Sequence, residues 1–443
     1  MGRRDAPRRC VGRRGSLKML ASLPLKGSGR ERMLIDGVTR AARQPGRAAT
    51  VPTARPHWVH ATDGKDWRTR VKDALALSLL TRVTGIKDLA EVATVTAELQ
   101  ALATIKYDAY EGYVPGVKFL ESLAVWLDQF EEGERSAAFS FVRGRLVYMS
   151  PAEVDHLVAS VYPDVIRPSL IRATANDLGV QPWRVAKVVA SPEFLARQRR
   201  MLLLGLSDGA RLDRLRRSSP LSTEQFHLVP QLDQGKAEEM AADLAAALKS
   251  RNLPGESSFN TVLLVDDFAG TGTSMVRQKG DDWTGKLIKA RKRITDLKEQ
   301  GWVSADARIV VLIYILTTRA ARHVQSALEQ SGLAAGGFEL VGVHVLDGSF
   351  QLHDPDDGEF IALCRKYFRE SWNTIHTKVG GDDLALGYGG CALPLVMHHN
   401  APNNSPPIIW RDEMHDPTPE NSAGTKQWVA LFPRYERHHP GRP

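Results

Sequence analysis

Asp266 and Asp267 are followed, after Phe268 and Ala269, by Gly270, Thr271, Gly272, Thr273 and Ser274, within the stretch TVLLVDDFAGTGTS. Two adjacent carboxylates accept hydrogen bonds from vicinal hydroxyls such as those of a sugar. The small residues behind them offer backbone N–H groups and three hydroxyls to a phosphate. The combination reads as a phosphate cradle opening toward a helix start, an arrangement pre-organised for an anion. Three other readings of the same letters stay open. LLVDD also opens receiver-type domains, although no TGTS loop follows there. An acidic strand end can serve a nucleotide loop, but the chain has no GxxxxGK[ST] partner for it. A buried strand ending in a solvated turn needs no ligand at all.

The elements around these residues must place them at one sheet edge. Thr261 to Val265 is apolar or β-branched without alternation, which predicts a strand buried on both faces of a parallel sheet, with the acidic pair at its end. Further strands are predicted over Met201–Leu206, Arg308–Leu316 and Phe338–Val345. Helices are expected over 236–249, 286–300 and 318–330, with RQKGDDWTGK inserted after the cradle. Alternating strands and helices with right-handed crossovers predict an α/β, doubly wound, mostly parallel sheet whose strand C-termini share one edge.

Upstream, the periodicity from Trp67 to Leu127 is helical, and 132–147 reads as another helix. Ser150 is an N-cap with Pro151 in the first turn. Pro163, Pro168, Pro182 and Pro192 predict breaks between short helices. ANDLGVQPWRVAKVV has the outline of a helix-turn-helix, for which ordinary packing of two helices is the simpler explanation and nucleic-acid binding the alternative.

The 443 residues suffice for two or three domains, and 43% hydrophobic with 25% charged residues is ordinary globular composition. No apolar run spans 18 residues, so no membrane helix is expected. Cys10, Cys364 and Cys391 have no metal or disulfide spacing, which fits a reducing cytoplasm. The net charge of +8 arises in residues 1–55, which hold 14 Lys or Arg against 3 Asp or Glu. This basic tail lacks burial capacity and reads as disordered. It is either a contact for an acidic partner or nucleic acid, or a segment upstream of a true start at Met19 or Met33. The expected organisation is therefore a tail over 1–55, a helical accessory region over 65–195 and an α/β domain over 196–435.

The order of hydrophobic strand, acidic pair, short spacer and TGTS resembles the motif by which type I phosphoribosyltransferases bind 5-phosphoribosyl-1-pyrophosphate (PRPP). FVRGRLVYMSPAEVDHLV, VYPDVIRPSLI, GLSDGARLDRLRR, GYGGCALPLVMHHNAPNNSPPIIW and WVALFPR extend the likeness over roughly 115–435. They resemble a PRPP-binding-like branch found in bacterial conflict and anti-phage gene neighbourhoods. The resemblance implies that Asp266 and Asp267 meet the ribose hydroxyls and that Gly270–Ser274 holds the 5′-phosphate. It also implies that Ser207, Asp208, Gly209, Ala210 and Arg211 form the pyrophosphate loop and that 218–233 is a mobile cover. Mg²⁺ would be carried by the substrate and water, with no direct protein ligand implied. His398, His399 and Asn400, among further asparagines, are candidates for a second subsite. Adjacent histidines on a strand would face opposite ways, against a metal pair. The implied protein is a phosphoribosyltransferase-like defence effector with an unidentified acceptor and partners from its own operon; the alternative is an inactive PRPP or nucleotide sensor. Phe268, the insertion after Arg277 and the HHNAPNN segment depart from the salvage-enzyme pattern.

Overall fold

Thr261 to Val265 form the centre of a five-stranded sheet, because the strand is covered on both faces. Val262 and Leu264 enter one hydrophobic core while Leu263 and Val265 enter another, as the two-residue period of a strand requires. The computed structural model describes residues 65–229, 232–373, 380–381, 383–414 and 427–434. The basic tail over 1–55 lies outside the described residues. In chain order the elements are α1 (Lys65–Thr84), α2 (Leu89–Ile105), α3 (Phe119–Leu127), α4 (Arg135–Gly144), β1 (Val147–Met149), α5 (Pro151–Ser160), α6 (Arg167–Asp177), α7 (Val185–Val189) and α8 (Pro192–Arg199). They continue with β2 (Met201–Gly205), α9 (Leu212–Arg217), β3 (Phe226–Leu228), α10 (Gln234–Ser250), β4 (Phe259–Ala269), β5 (Arg277–Lys279), β6 (Asp282–Thr284) and α11 (Lys286–Glu299). The last are β7 (Val303–Thr317), α12 (Thr318–Gln330), β8 (Phe338–Leu346), α13 (Gly358–Tyr367), β9 (Leu395–Met397) and α14 (Pro407–Trp410).

The sheet order is β3-β2-β4-β7-β8 and every pairing is parallel. The α/β sheet and its helices are thus those the sequence predicts, as is the helical region before it. Four local expectations change. First, β4 runs to Ala269, so the acidic pair lies within the strand; β7 continues beside it, with Asp266 opposite Ile313 and Ala269 opposite Leu316. Second, Val147 leaves the helix predicted there and starts β1, whose partner β9 lies far along the chain. Third, Pro163 and Pro168 do not break the helix. A π-helical turn over Val161–Ile166 absorbs Pro163, and Pro168 follows that turn directly at the start of α6. Fourth, the second helix of the helix-turn-helix outline is α7, only five residues long, too short to act as a recognition helix.

The described residues belong to a compact unit that begins at Gly64. Helices α1–α4 and β1 share an aromatic core with α13, with residues between Ala392 and Trp410, and with Trp428, Leu431 and Phe432, so packing crosses residue 195. Among the described residues no helix is long and apolar enough to cross a membrane.

Candidate active site

Alternation along β4 splits the acidic pair. Asp266 shares a face with Val262 and Leu264, Asp267 the opposite one with Leu263 and Val265. Asp266 is completely buried. One of its oxygens accepts from the Ser207 hydroxyl, and the other pairs with the Lys286 ammonium at the start of α11. Burial, followed by the neighbouring charge of Asp267, raises its pKa against the opposing pull of Lys286 and Ser207. Asp267 lies 3.3 Å from His399 Nε2 and accepts the Phe268 backbone N–H at 2.9 Å. Burial alone would raise its pKa, but His399, Lys286 and the backbone bond outweigh it and hold the carboxyl below its usual range. One carboxylate is therefore a buried tether, and the other faces a cavity.

That cavity is about 600 Å³, and Asp267 and Gly270–Ser274 form one wall of it. Thr271 and Thr273 hydroxyls bond each other at 2.9 Å, and Thr317 Oγ1 donates to the Gly270 carbonyl at 2.7 Å. No helix follows the loop directly. The chain instead makes the β5–β6 hairpin and returns at Gly285, so that the N–H groups of Lys286 and Leu287 donate to the carbonyls of Ser274 and Met275 at 3.1 and 2.9 Å. Gly285 is required at this return. Its φ is 122°, and a Cβ there would lie 2.5 Å from the Met275 carbonyl oxygen.

The opposite wall comes from Tyr388, Met397, His399, Asn400 and Asn404, with Arg434. It touches the first where Thr273 Oγ1 donates to the Tyr388 hydroxyl at 3.4 Å and where Gly270 lies against Asn404. His398 is turned away from the cavity. It is buried, its backbone N–H donates to the Met149 carbonyl at 2.9 Å, and its ring accepts from the Arg211 guanidinium. Burial first, then the charges of His399 and Arg211, push its pKa down to about 4, so the ring is neutral and suited to accept. The two histidines follow β9 in a turn closed by the Met397–Asn400 bridge, with ring centroids 4.9 Å apart. The rings therefore touch although only His399 lines the cavity, and no group of three metal-ligating side chains occurs among the described residues.

Residues 207–211 stand behind the carboxylates and not on the cavity wall. Gly209 abuts the Asp267 carboxylate so closely that a side chain would collide with it, and the Ala210 carbonyl accepts from the buried Tyr314 hydroxyl at 2.6 Å. Asp208 lies in the same 3₁₀ turn, and Arg211, at φ 44°, leaves it toward His398 and Asp155. Residues 223–228 build the sheet's edge and do not line the cavity. Gln225 is buried there, donating to the carbonyls of Gln198 and Met201. Lys286, Tyr388, Asn404 and Arg434 are cavity residues not singled out as site residues from the sequence. Asn404 alone had a sequence signal, as one of the asparagines beside the candidate histidines, whereas Lys286 closes the inserted RQKGDDWTGK.

A parallel sheet whose central strand carries an acidic pair into a loop of glycines and hydroxyls is the architecture of a phosphoribosyltransferase-type protein. The family model PRTase-CE matches residues 123–434, and the chain belongs to that family. No curated protein and no solved structure matches the chain.

Proposed function

We propose that the cavity binds PRPP with Mg²⁺ and that the protein transfers the phosphoribosyl group to an acceptor within a defence system. The observation that carries this reading is the joint placement of the Gly270–Ser274 loop and Asp267 on one wall of a single cavity of about 600 Å³, in a chain of phosphoribosyltransferase type. The loop's N–H and hydroxyl groups suit the 5′-phosphate, and Asp267 suits the ribose hydroxyls. His399 keeps that carboxylate ionised and oriented.

Asp267 is the one carboxylate on the cavity wall among the described residues. Such a sparse donor set fits an Mg²⁺ ion whose ligands would be substrate oxygens and water, with no direct protein ligand. Bound there, the ion supplies neutralisation of the diphosphate. In the transfer, the bond from ribose C1 to the diphosphate oxygen breaks with its electron pair leaving on diphosphate. The acceptor's lone pair forms the new bond to C1, and the acceptor gives up its proton. The chain's part is to position the sugar and to keep water from the developing cation. The defence role rests on the likeness of 387–410 and the upstream segments to the conflict-associated branch.

Calorimetric titration of Mg·PRPP, with pyrophosphate release measured alongside, tests the reading. Wild type should bind, and Asp267→Asn should lose about 1.5–3 kcal/mol, the scale of a hydrogen bond to a charged group. Equal binding by the two proteins overturns the ribose assignment. Binding without pyrophosphate release, across candidate acceptors, replaces the transferase with a sensor. In cells, the defence role predicts that Asp267→Asn abolishes protection against phage.

A further inference from the structure

We propose that Lys286 is the cation that grips a phosphate group of the ligand, and that Asp266 is its positioning residue and not a sugar contact. The proposal rests on the reading of the cavity as a ribose-phosphate site.

The argument begins with the inserted hairpin. A glycine-rich loop that runs straight into a helix offers an anion the helix's free N–H groups. Here the chain leaves Ser274 and returns only at Gly285, and the first two N–H groups of α11 are already spent on the carbonyls of Ser274 and Met275. The helix start therefore has little left to give. What it delivers to the same place is the side chain of Lys286, which lines the cavity.

Its ammonium is fixed from behind. Asp266 is fully buried and does not line the cavity, whereas Lys286 retains 31% side-chain exposure. An ammonium has three donors, and the bond to Asp266 is the one it makes to protein among the described residues. The remaining donors are free for a ligand on the side where Gly270–Ser274 and Asp267 stand. Asp266 also accepts from Ser207, so both its oxygens are committed before any sugar arrives. Strand alternation makes this division unavoidable: Asp267 alone of the pair faces the His399 side. A carboxylate so placed costs stability unless paired. In return it holds a long, flexible cation at one point beside the loop.

The decisive comparison uses the double variant Asp266→Asn/Lys286→Met, which removes both charges and leaves no buried ion unpaired. Thermal unfolding is followed, and Mg·PRPP, ribose 5-phosphate and inorganic pyrophosphate are titrated separately at low and high salt. The expected result is a melting temperature close to wild type. Affinity for whichever of these anions wild type binds should fall about tenfold or more, with a weaker salt dependence because a fixed charge has gone. Lys286→Arg should recover most of the affinity. Wild-type affinity in the double variant overturns the proposal, since Lys286 then serves only to neutralise Asp266; so does a wild type that binds none of the three. Should the double variant fail to fold, Lys286→Gln carries the same comparison, because the buried Asp266 can take up a proton. Wild-type binding of pyrophosphate or ribose 5-phosphate without PRPP sinks the PRPP reading, while Lys286 is still judged on the simpler anion.

Discussion

The two walls of the cavity are held in different ways. The wall around Asp267 and Gly270 hangs from β4, whose backbone is bonded to β2 on one side and β7 on the other. The wall from Tyr388 to Asn404 has almost no regular structure beyond the three residues of β9. Scattered backbone bonds close its turns, such as Tyr388 N–H to the Asn403 carbonyl at 2.7 Å and Leu393 N–H to the Asn404 carbonyl at 3.2 Å, and side chains hold those turns in place. Ser405 Oγ donates to the Leu395 carbonyl at 2.6 Å, Trp410 Nε1 to Ser405 at 2.8 Å and Trp126 Nε1 to Ile408 at 2.7 Å. Phe432, fully buried, packs among Tyr107, Tyr110, Tyr113, Phe119 and Tyr148 beneath it. A ladder of backbone bonds tolerates changes of side chain, whereas a wall built on packed side chains does not. The second wall should therefore loosen first.

Phe432→Ala gives the largest expected effect. It should cost about 3–5 kcal/mol in chemical denaturation and weaken Mg·PRPP binding under conditions where the protein is still folded. Leu244→Ala, equally buried but in the core between α10 and the sheet, should cost about 2–5 kcal/mol and leave affinity unchanged. Equal losses of affinity in the two variants would erase the distinction between the walls.

A second, smaller effect is read through pH. His398 joins the packed wall to the turn before α9 through Arg211 and to the end of β1 through Met149. Its folded pKa of about 4 lies below the unfolded value of about 6.5. The unfolded chain therefore takes the proton first, and stability present above pH 6.5 is lost as pH falls toward 4. Glu111, at 3.8 Å, is too exposed to retain the proton on the folded ring. Urea unfolding at pH 7 and pH 5 should show about 2 kcal/mol lost through this group, and His398→Asn should show a correspondingly smaller loss. An unchanged pH dependence in the variant would mean that the second wall is not tied down at this point.

The same division explains what was legible in the sequence. Thr261–Val265, Arg308–Leu316 and 318–330 announce themselves because strand and helix periodicities are local, and the loop after Asp267 is contiguous with its strand. The opposite roles of Asp266 and Asp267 were in principle readable too, since alternation alone sends neighbours to opposite faces. The expectation that the strand stops before them concealed it. β1 was not readable, because Val147 becomes a strand only by meeting Leu395. The placement of Tyr388 and Asn404 depends on the aromatic core beneath, which joins residues hundreds of positions apart and leaves no periodic trace. Lys286 was hidden by the hairpin, which reads as an interruption of the site although it delivers a residue to it.

The smallest effect sharpens the account of the first wall. Thr317 ends β7 and caps α12, accepting from the Ala320 N–H at 3.0 Å and donating to the Gly270 carbonyl at 2.7 Å. Thr317→Ala removes the cap and leaves that carbonyl without its buried donor, at an expected cost of about 1–2 kcal/mol; Thr317→Ser should restore it. If the backbone ladder fixes the cradle, Mg·PRPP affinity should change by less than about threefold, under 1 kcal/mol, even as stability falls. A larger loss of affinity would show that the loop, like the wall facing it, is held by individual side-chain bonds, and that the ladder's influence ends at Ala269.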